Sequence, residues 1–353
     1  MTVSLVTGGS GYFGMLMVER LRRAGHTVRV LDLNDADDRA ADVEFVRGDV
    51  RDPEVVQSAV AGVDLVFNNV AQVPLAKDPE LLTTVNIDGT RNLLAAALEH
   101  GVRKVVHTSS SAVFGIPASN PVFPDTPPTP VEAYGRAKTE AEGLCHAFTA
   151  QGLDVTIVRP RTILGHGRLG IFGILFDWIA DGADVFVLGD GSNTYQFVHA
   201  DDLAEVCLLA AERPGPMIVN AGTDRFDTMR GTLEAVCAHA GTGSRVRSLP
   251  ARPASLAMQA AARLHLAPFA PYHWIMYSRS LWFDIEHARN ALGWQPQFSN
   301  AEAMIDSYDW FLSHRDDMTS HTASHHRSTA KQGALRALKG ATRLLPRAGT
   351  PAG

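Results

Sequence analysis

The run VSLVTGGSGYFG at residues 3–14 constrains this chain more than any other stretch. An apolar strand-like run ends in Gly8, Gly11 and Gly14, spaced three apart, and an amphipathic segment from Phe13 to Ala24 follows at once. Glycine is needed where backbone turns tightly or approaches another group closely. A strand that turns through glycines straight into a helix presents free N–H groups and the positive dipole end, a seat for a pyrophosphate. The glycine spacing alone is a weak signal, and the strand–turn–helix context strengthens it. Tyr12 and Phe13 sit inside the turn and join the three glycines as candidate cofactor contacts.

The pattern that starts here continues. VSLVTG (3–8), TVRVLDL (27–33), VEFVRGDV (43–50), LVFNNVA (65–71), KVVHTSS (104–110) and DVTIVRP (154–160) read as strands. They are nearly continuous apolar runs, as strands buried on both faces should be. Phe13–Ala24, Leu81–His100 and Tyr134–Ala150 read as helices between them. Such alternation predicts an α/β fold: a doubly wound parallel Rossmann sheet over residues 1–160. MIVNAG (217–222) reads as a late strand, so a stretch of about 195–222 is expected to rejoin the sheet. After Pro160, glycine and proline become frequent and the spacing turns irregular. A smaller C-terminal substrate-binding domain is expected over 161–315, then a basic, flexible tail over 316–353. Residues 251–283 are apolar and aromatic. They read either as helices packed on that domain or as a lid over an apolar substrate.

Composition narrows the class. Hydrophobic content of 45% and charged content of 20% are ordinary for a soluble globular protein. Cys145, Cys207 and Cys237 are odd in number and far apart, with no CxxC, so they read as core thiols in a reducing cytoplasm. No basic n-region and no run of about 18 apolar residues is visible, so neither a signal peptide nor a membrane span is expected. Net charge is −6, and from Arg315 onward seven Lys/Arg face two Asp, which leaves a strongly acidic body. That balance argues against nucleic acid as a partner. In the tail, Leu335, Leu338, Leu344 and Leu345 interleave with Arg336, Lys339, Arg343 and Arg347. This reads as a solvated tail or as a weak peripheral contact with an anionic membrane face. His321, His325 and His326 lack cysteine or acidic partners, and no metal is expected.

Asp32 ends the second strand eighteen residues past Gly14. A carboxylate there accepts hydrogen bonds from ribose hydroxyls and repels a 2′-phosphate, so the expected cofactor is NAD. The following Leu33-Asn34 offers no arginine for NADP. Asp49 and Val50, after the third strand, are candidates for the adenine edge and face. Asn68 to Ala71, after the fourth, pass under the cofactor. The remaining chemistry lies in YGRAK (134–138). A phenol of pKa about 10 is a poor base at neutral pH, and a nearby ammonium lowers that value. Tyr134 and Lys138 are four apart and share a helix face. The tuned phenol can exchange a proton with a secondary alcohol or ketone. TSSSAVFG (108–115), at a strand end, offers hydroxyls to hold the same oxygen.

TGxxGxxG, Asp32, VNIDGT (85–90), TSSSAVFG and YxxxK, in this order, resemble the extended short-chain dehydrogenase/reductase family over about residues 3–312. The resemblance implies Tyr134 as acid/base and Lys138 as the residue that binds the nicotinamide ribose and tunes Tyr134. Counting back from Phe114-Gly115, it implies Ser110 as the catalytic hydroxyl, with Ser109 and Ser111 still open. It also implies a homodimer through the helices at Leu81–His100 and Tyr134–Ala150. VFPDTPPTPVEAYGRAKTEAE, LGDGSNTYQFVHADDLAE and ALGWQP are similar to the nucleotide-sugar epimerase and dehydratase branch. Two positions depart from that branch. Thr162 stands where it carries Asn, and Tyr195-Gln196 stand where it carries Arg-Asp, the Arg meeting a phosphate. Arg161 and Arg168 are the candidate replacement cations, and Gln72 and Ser111 further candidate substrate contacts. A branch resembling 3β-hydroxysteroid and sterol-carboxylate dehydrogenases also lacks both features, so a sterol or other lipid alcohol is the alternative substrate. A non-catalytic NAD sensor is the alternative of another class.

Overall fold

A computed structural model of the chain describes residues 1–72, 78–167, 171–264, 266, 271–315 and 339–340. Its strands are β1 (Val3–Thr7), β2 (Thr27–Asp32), β3 (Glu44–Arg47), β4 (Leu65–Asn68), β5 (Lys104–Thr108) and β6 (Val155–Pro160). They continue with β7 (Thr162–Leu164), β8 (Val185–Leu188), β9 (Phe197–His199), β10 (Met217–Ala221) and β11 (Val246–Leu249). Seven form one parallel sheet in the order β10-β6-β5-β4-β1-β2-β3. The late strand β10 does rejoin the sheet, beside β6. Chain order reverses between β1 and β4, and at such a switch point the crevice beyond the strand carboxyl ends takes the ligand.

Every predicted strand of this sheet is present, and most stop short of their predicted ends. Gly8, Asp49, Val50, Asn69 to Ala71, Ser109 and Ser110 all leave the ladder at the same edge. Register fixes that alignment: Thr7 pairs with both Leu31 and Asn68, Asn68 with His107, and Thr108 with Val158. The residues that peel away are thus brought to one rim.

Apolar clusters cover both sheet faces. One holds Met17, Leu21, Leu203 and Cys207, the other Val56, Leu93, Leu94 and Cys145. A third core holds Leu164, Phe176, Trp178, Val236, Tyr308 and Phe311 and lies off the main sheet. The small pairs β7–β9 and β8–β11 serve it. All three cysteines are buried and form no disulfide.

Two expectations change. The Leu81–His100 helix is divided into Pro79–Thr83, a π turn at Thr84–Asp88 and Gly89–Glu99. The wide turn carries Asn86, whose side chain is buried and bonds the loop after β4. The 251–283 stretch is not one packed unit. Helix Ala251–Arg263 buries none of its residues, and Leu256 is 66% exposed. Leu281 and Phe283 are instead buried in the core of the main sheet. In the basic tail, residues 316–338 and 341–353 lie outside the described residues, with the three tail histidines. Lys339 is buried; its ammonium pairs with Asp177 and lies 2.8 Å from Asp181, beside Arg315. Among the described residues no helix is long and apolar enough to cross a membrane.

Candidate active site

The glycine loop is a cradle without side chains. Gly8 has φ +67°, and a Cβ there would lie 2.9 Å from Val70 Cα. A Cβ on Gly14 would lie 2.0 Å from the Gly8 carbonyl oxygen, and one on Gly11 3.1 Å from it. Any side chain at Gly14 would therefore separate the helix Tyr12–Arg23 from the turn. Thr7 locks the neighbouring loop. Its hydroxyl donates to Asn68 Oδ1 at 2.9 Å and accepts from the Asn69 and Val70 N–H groups at 3.2 and 3.3 Å.

Asp32 accepts from Ser10 N–H at 3.1 Å and from Asn34 N–H at 3.2 Å. Burial raises its pKa, and these amides oppose the rise. The carboxylate is thus held at the end of β2, beside the loop. Together with the open cradle, this is the fit that a dinucleotide's pyrophosphate and ribose require. Tyr12 donates its phenol proton to the Leu164 carbonyl at 3.3 Å, and Phe13 packs into the core. Asp49 is engaged by Arg51, which also holds its pKa down. Val50 turns inward, where a Cβ on Gly89 would meet it at 2.4 Å. Ala71 is half-buried, and Gln72 is fixed through its backbone, N–H and carbonyl both bonded to the Asn86 amide.

Tyr134 and Lys138 lie on helix Ala133–Thr149. Glu132 caps it, accepting from Tyr134 N–H at 2.8 Å and Gly135 N–H at 2.6 Å. Burial raises the Glu132 pKa while those amides lower it. Gly135 sets the helix position, since a Cβ there would lie 2.4 Å from the Ala112 carbonyl oxygen. Ala112 belongs to the 3-10 turn Ser111–Phe114 that follows Ser110. One glycine thus brings the tyrosine's helix against the serine's turn.

Lys138 is 3% exposed, and its ammonium donates to the Thr108 carbonyl at 2.9 Å. Burial pushes its pKa down to about 8. Thr108 in turn donates to Asn69 Oδ1 at 2.6 Å, tying β5 to the loop after β4. The three serines have separate environments. Ser109 donates to Glu142 at 2.5 Å, and Glu142 takes both Nε and Nη2 of Arg159 at 2.9 and 2.7 Å. Ser110 accepts from Ala112 N–H at 3.2 Å, which leaves its own O–H free to be aimed by rotation. Ser111 is buried in the first residue of the turn.

Immediately after β6, Arg161 is 1% exposed. Its guanidinium lies over the Tyr195 ring at 4.7 Å and the Phe283 ring at 5.6 Å. Tyr195 Oη and Thr162 Oγ1 are 2.9 Å apart. Gln196 is buried and donates to the Thr223 carbonyl, while its oxygen takes Phe283 N–H at 2.9 Å. Arg161, Thr162 and Tyr195 are therefore one cluster, and Gln72 belongs to a different loop. Arg168 lies outside the described residues.

Sequence reasoning did not single out Thr7, Asn86, Glu132, Gly135 or Glu142. A carboxylate just before a helix is a capping signal, so Glu132 was within reach. The other four act on partners distant in sequence.

A parallel switch-point sheet with a glycine cradle, a carboxylate at the end of β2 and a tyrosine–lysine pair beside β5 defines an extended short-chain dehydrogenase/reductase. Residues 4–222 match the NAD dependent epimerase/dehydratase family, and the chain belongs to it. It is an enzyme of that type, and NAD is the family's cofactor. An uncharacterized protein, y4nG, of Sinorhizobium fredii is 48% identical over 97% of this chain and 87% of its own. A UDP-glucose 4-epimerase of Mycolicibacterium smegmatis is 29% identical over 87% of this chain and 98% of its own. Sterol demethylase protein B of Methylococcus capsulatus is 35% identical over 60% and 66%. The solved UDP-glucose 4-epimerase of Thermotoga maritima, with UDP-glucose, shares the fold at a TM-score of 0.76, covering 89% of this chain and 100% of its own at 24% identity.

Proposed function

We propose that the protein oxidises a secondary alcohol of a nucleotide sugar to a ketone and then returns the hydride, as an epimerase or dehydratase does. The observation that carries this reading is the buried Lys138 ammonium, fixed on the Thr108 carbonyl one helical turn from Tyr134. A fixed cation favours the phenolate form of Tyr134, which takes the alcohol proton and later gives it back. Ser110, its lone pair already occupied by Ala112 N–H, donates its own proton to the same substrate oxygen. Gly8, Gly11, Gly14 and Asp32 would hold NAD, which when bound would supply the hydride acceptor and the hydride source. Gln72 and Ser111 lie on loops at the same rim and are read as substrate contacts.

Support for a nucleotide sugar comes from the epimerase relative, which covers most of this chain. The second reading, a sterol or other lipid alcohol, is favoured by one specific observation. Thr162 and Tyr195 replace the polar Asn and charged Arg with a neutral bonded pair. The two readings predict different handling of the hydride. An epimerase or dehydratase keeps it in place, so NAD should remain bound through purification.

The test is to denature the purified protein, quantify the nicotinamide released per chain, and then assay UDP-sugars by product analysis. Near-stoichiometric NAD with UDP-sugar conversion supports the proposal. An empty protein that reduces added NAD with sterols overturns it in favour of the second reading. Bound NAD with no turnover of any alcohol, and a Tyr134→Phe variant indistinguishable from wild type, points to a sensor. We place the enzyme in the cytoplasm and read it as a homodimer through the segments Leu81–His100 and Tyr134–Ala150, with residues 161–315 supplying most of the substrate side. Solution scattering that gives a monomer at micromolar protein contradicts the dimer.

A further inference from the structure

We propose that Arg161 is a buried oxyanion-binding residue, whose guanidinium receives a phosphate or carboxylate group of the substrate. In its choice of probes this rests on the nucleotide-sugar reading above; in its physics it rests on burial. Arg159 and Arg161 are two residues apart at the end of β6, and their environments differ in one respect. Arg159 is buried over Phe114 at 5.0 Å, and its charge is met by both oxygens of Glu142 and by the Pro124 carbonyl. Arg161 is buried over two rings, and among the described residues Nε, Nη1 and Nη2 are all without a hydrogen-bond partner. Among the described residues no carboxylate lies within ion-pair distance of it.

An ion removed from water without a counter-charge is costly, and a ring face offsets only part of that cost. Arginine keeps its charge in proteins, so it does not escape by losing its proton. The surroundings do not adapt to it either. Tyr195 is held by Thr162 at 2.9 Å and by Asn300, which donates to the Tyr195 carbonyl at 2.6 Å. Phe283 is held through its backbone by Gln196. The fork is thus fixed between two rings with its donors unspent, the arrangement suited to bidentate binding of a planar or tetrahedral oxyanion. Arg161 follows β6, the immediate neighbour of β5, whose end carries Ser110. The cation and the reacting hydroxyl therefore occupy the same carboxyl rim of the sheet.

The experiment uses the full chain as purified with its cofactor, in three forms: wild type, Arg161→Met and Arg161→Lys. Calorimetric titration with UDP-glucose and UDP-glucuronate is paired with thermal melting in inorganic pyrophosphate or glucuronate. The expected result is at least tenfold weaker binding in Arg161→Met, partial recovery in Arg161→Lys, unchanged NAD content, and an unliganded melting temperature no lower than wild type. Equal loss for both sugar nucleotides assigns the phosphate. Loss for UDP-glucuronate alone assigns the carboxylate. Wild-type binding in Arg161→Met together with a lowered melting temperature overturns the proposal and makes Arg161 a packing residue. If wild type binds neither sugar nucleotide, the substrate reading fails by itself. Arg161 then stands only if pyrophosphate or glucuronate raises the melting temperature of wild type and not of Arg161→Met, and falls otherwise.

Discussion

Thr162 Oγ1 lies 2.9 Å from Tyr195 Oη, so the two positions at which this chain departs from the nucleotide-sugar pattern are bonded to each other. They act as a pair and should be measured as one. Thr162→Val and Tyr195→Phe are each expected to cost about 1 kcal/mol in urea unfolding, the worth of a buried hydrogen bond. The double variant should cost less than the sum of the two, by about 1 kcal/mol. Strict additivity would show that the contact carries no energy.

Two glycines on one helix should respond in opposite directions. A Cβ on Gly135 meets the Ala112 carbonyl at 2.4 Å, while one on Gly143 meets nothing within 4 Å. Gly135→Ala should destabilise by about 1–3 kcal/mol, because backbone must move. It should also lower kcat by roughly 10²-fold, since the Tyr134 helix shifts relative to Ser110. Gly143→Ala should stabilise by about 0.5–1 kcal/mol with activity intact. Equal effects at the two sites would exclude the steric account.

Lys138 makes stability depend on alkaline pH. Its folded pKa, about 8, lies below the unfolded value of about 10.4. Below pH 8 the ammonium is charged in both states, and the native state bears the cost of burying it. Between about 8 and 10.4 the unfolded chain holds a proton that the native chain has released, so stability rises with pH. The full rise corresponds to about 3 kcal/mol. Urea unfolding at pH 7.5 and 9.5 should show a gain in wild type that Lys138→Met lacks.

Asp32 is bonded to the amides of Ser10 and Asn34, beside the glycine loop. In the proposed function Asp32 accepts from the ribose hydroxyls and repels a 2′-phosphate, and Asp32→Ala removes that carboxylate. NAD affinity should fall about tenfold or more, the loss of a charge-assisted contact. NADP affinity should fall less or rise. Fluorescence titration of both cofactors on stripped protein decides it, and a parallel loss for both would remove Asp32 from the discriminating role.

Much of this was legible in the sequence because it is written in local pattern. The apolar runs gave the strands, and Gly8, Gly11, Gly14, Asp32, Tyr134 and Lys138 were found at the rim where the pattern put them. Other residues were illegible for one reason: they act on partners far along the chain. Gly135 matters because of Ala112, Asn86 because of Gln72, and Glu142 because of Ser109 and Arg159. The π turn at Thr84–Asp88 looks like ordinary helix in periodicity. The apolar stretch 251–283 was legible only as apolar, since hydrophobic content does not say which core receives it. Its last residues join the main sheet, while Ala251–Arg263 buries nothing.

The stack of Arg161 on Tyr195 also couples what each of the two positions can accept. Placing an arginine at position 195 by a single substitution would set a second guanidinium where the ring now faces the first. Two buried like charges repel, so that step is disfavoured while Arg161 remains. Losing Arg161 first would remove the guanidinium that now lies over the Tyr195 ring. Neither one-residue path between the two arrangements is smooth. A designer who wishes to place an arginine at position 195 should therefore exchange both residues together.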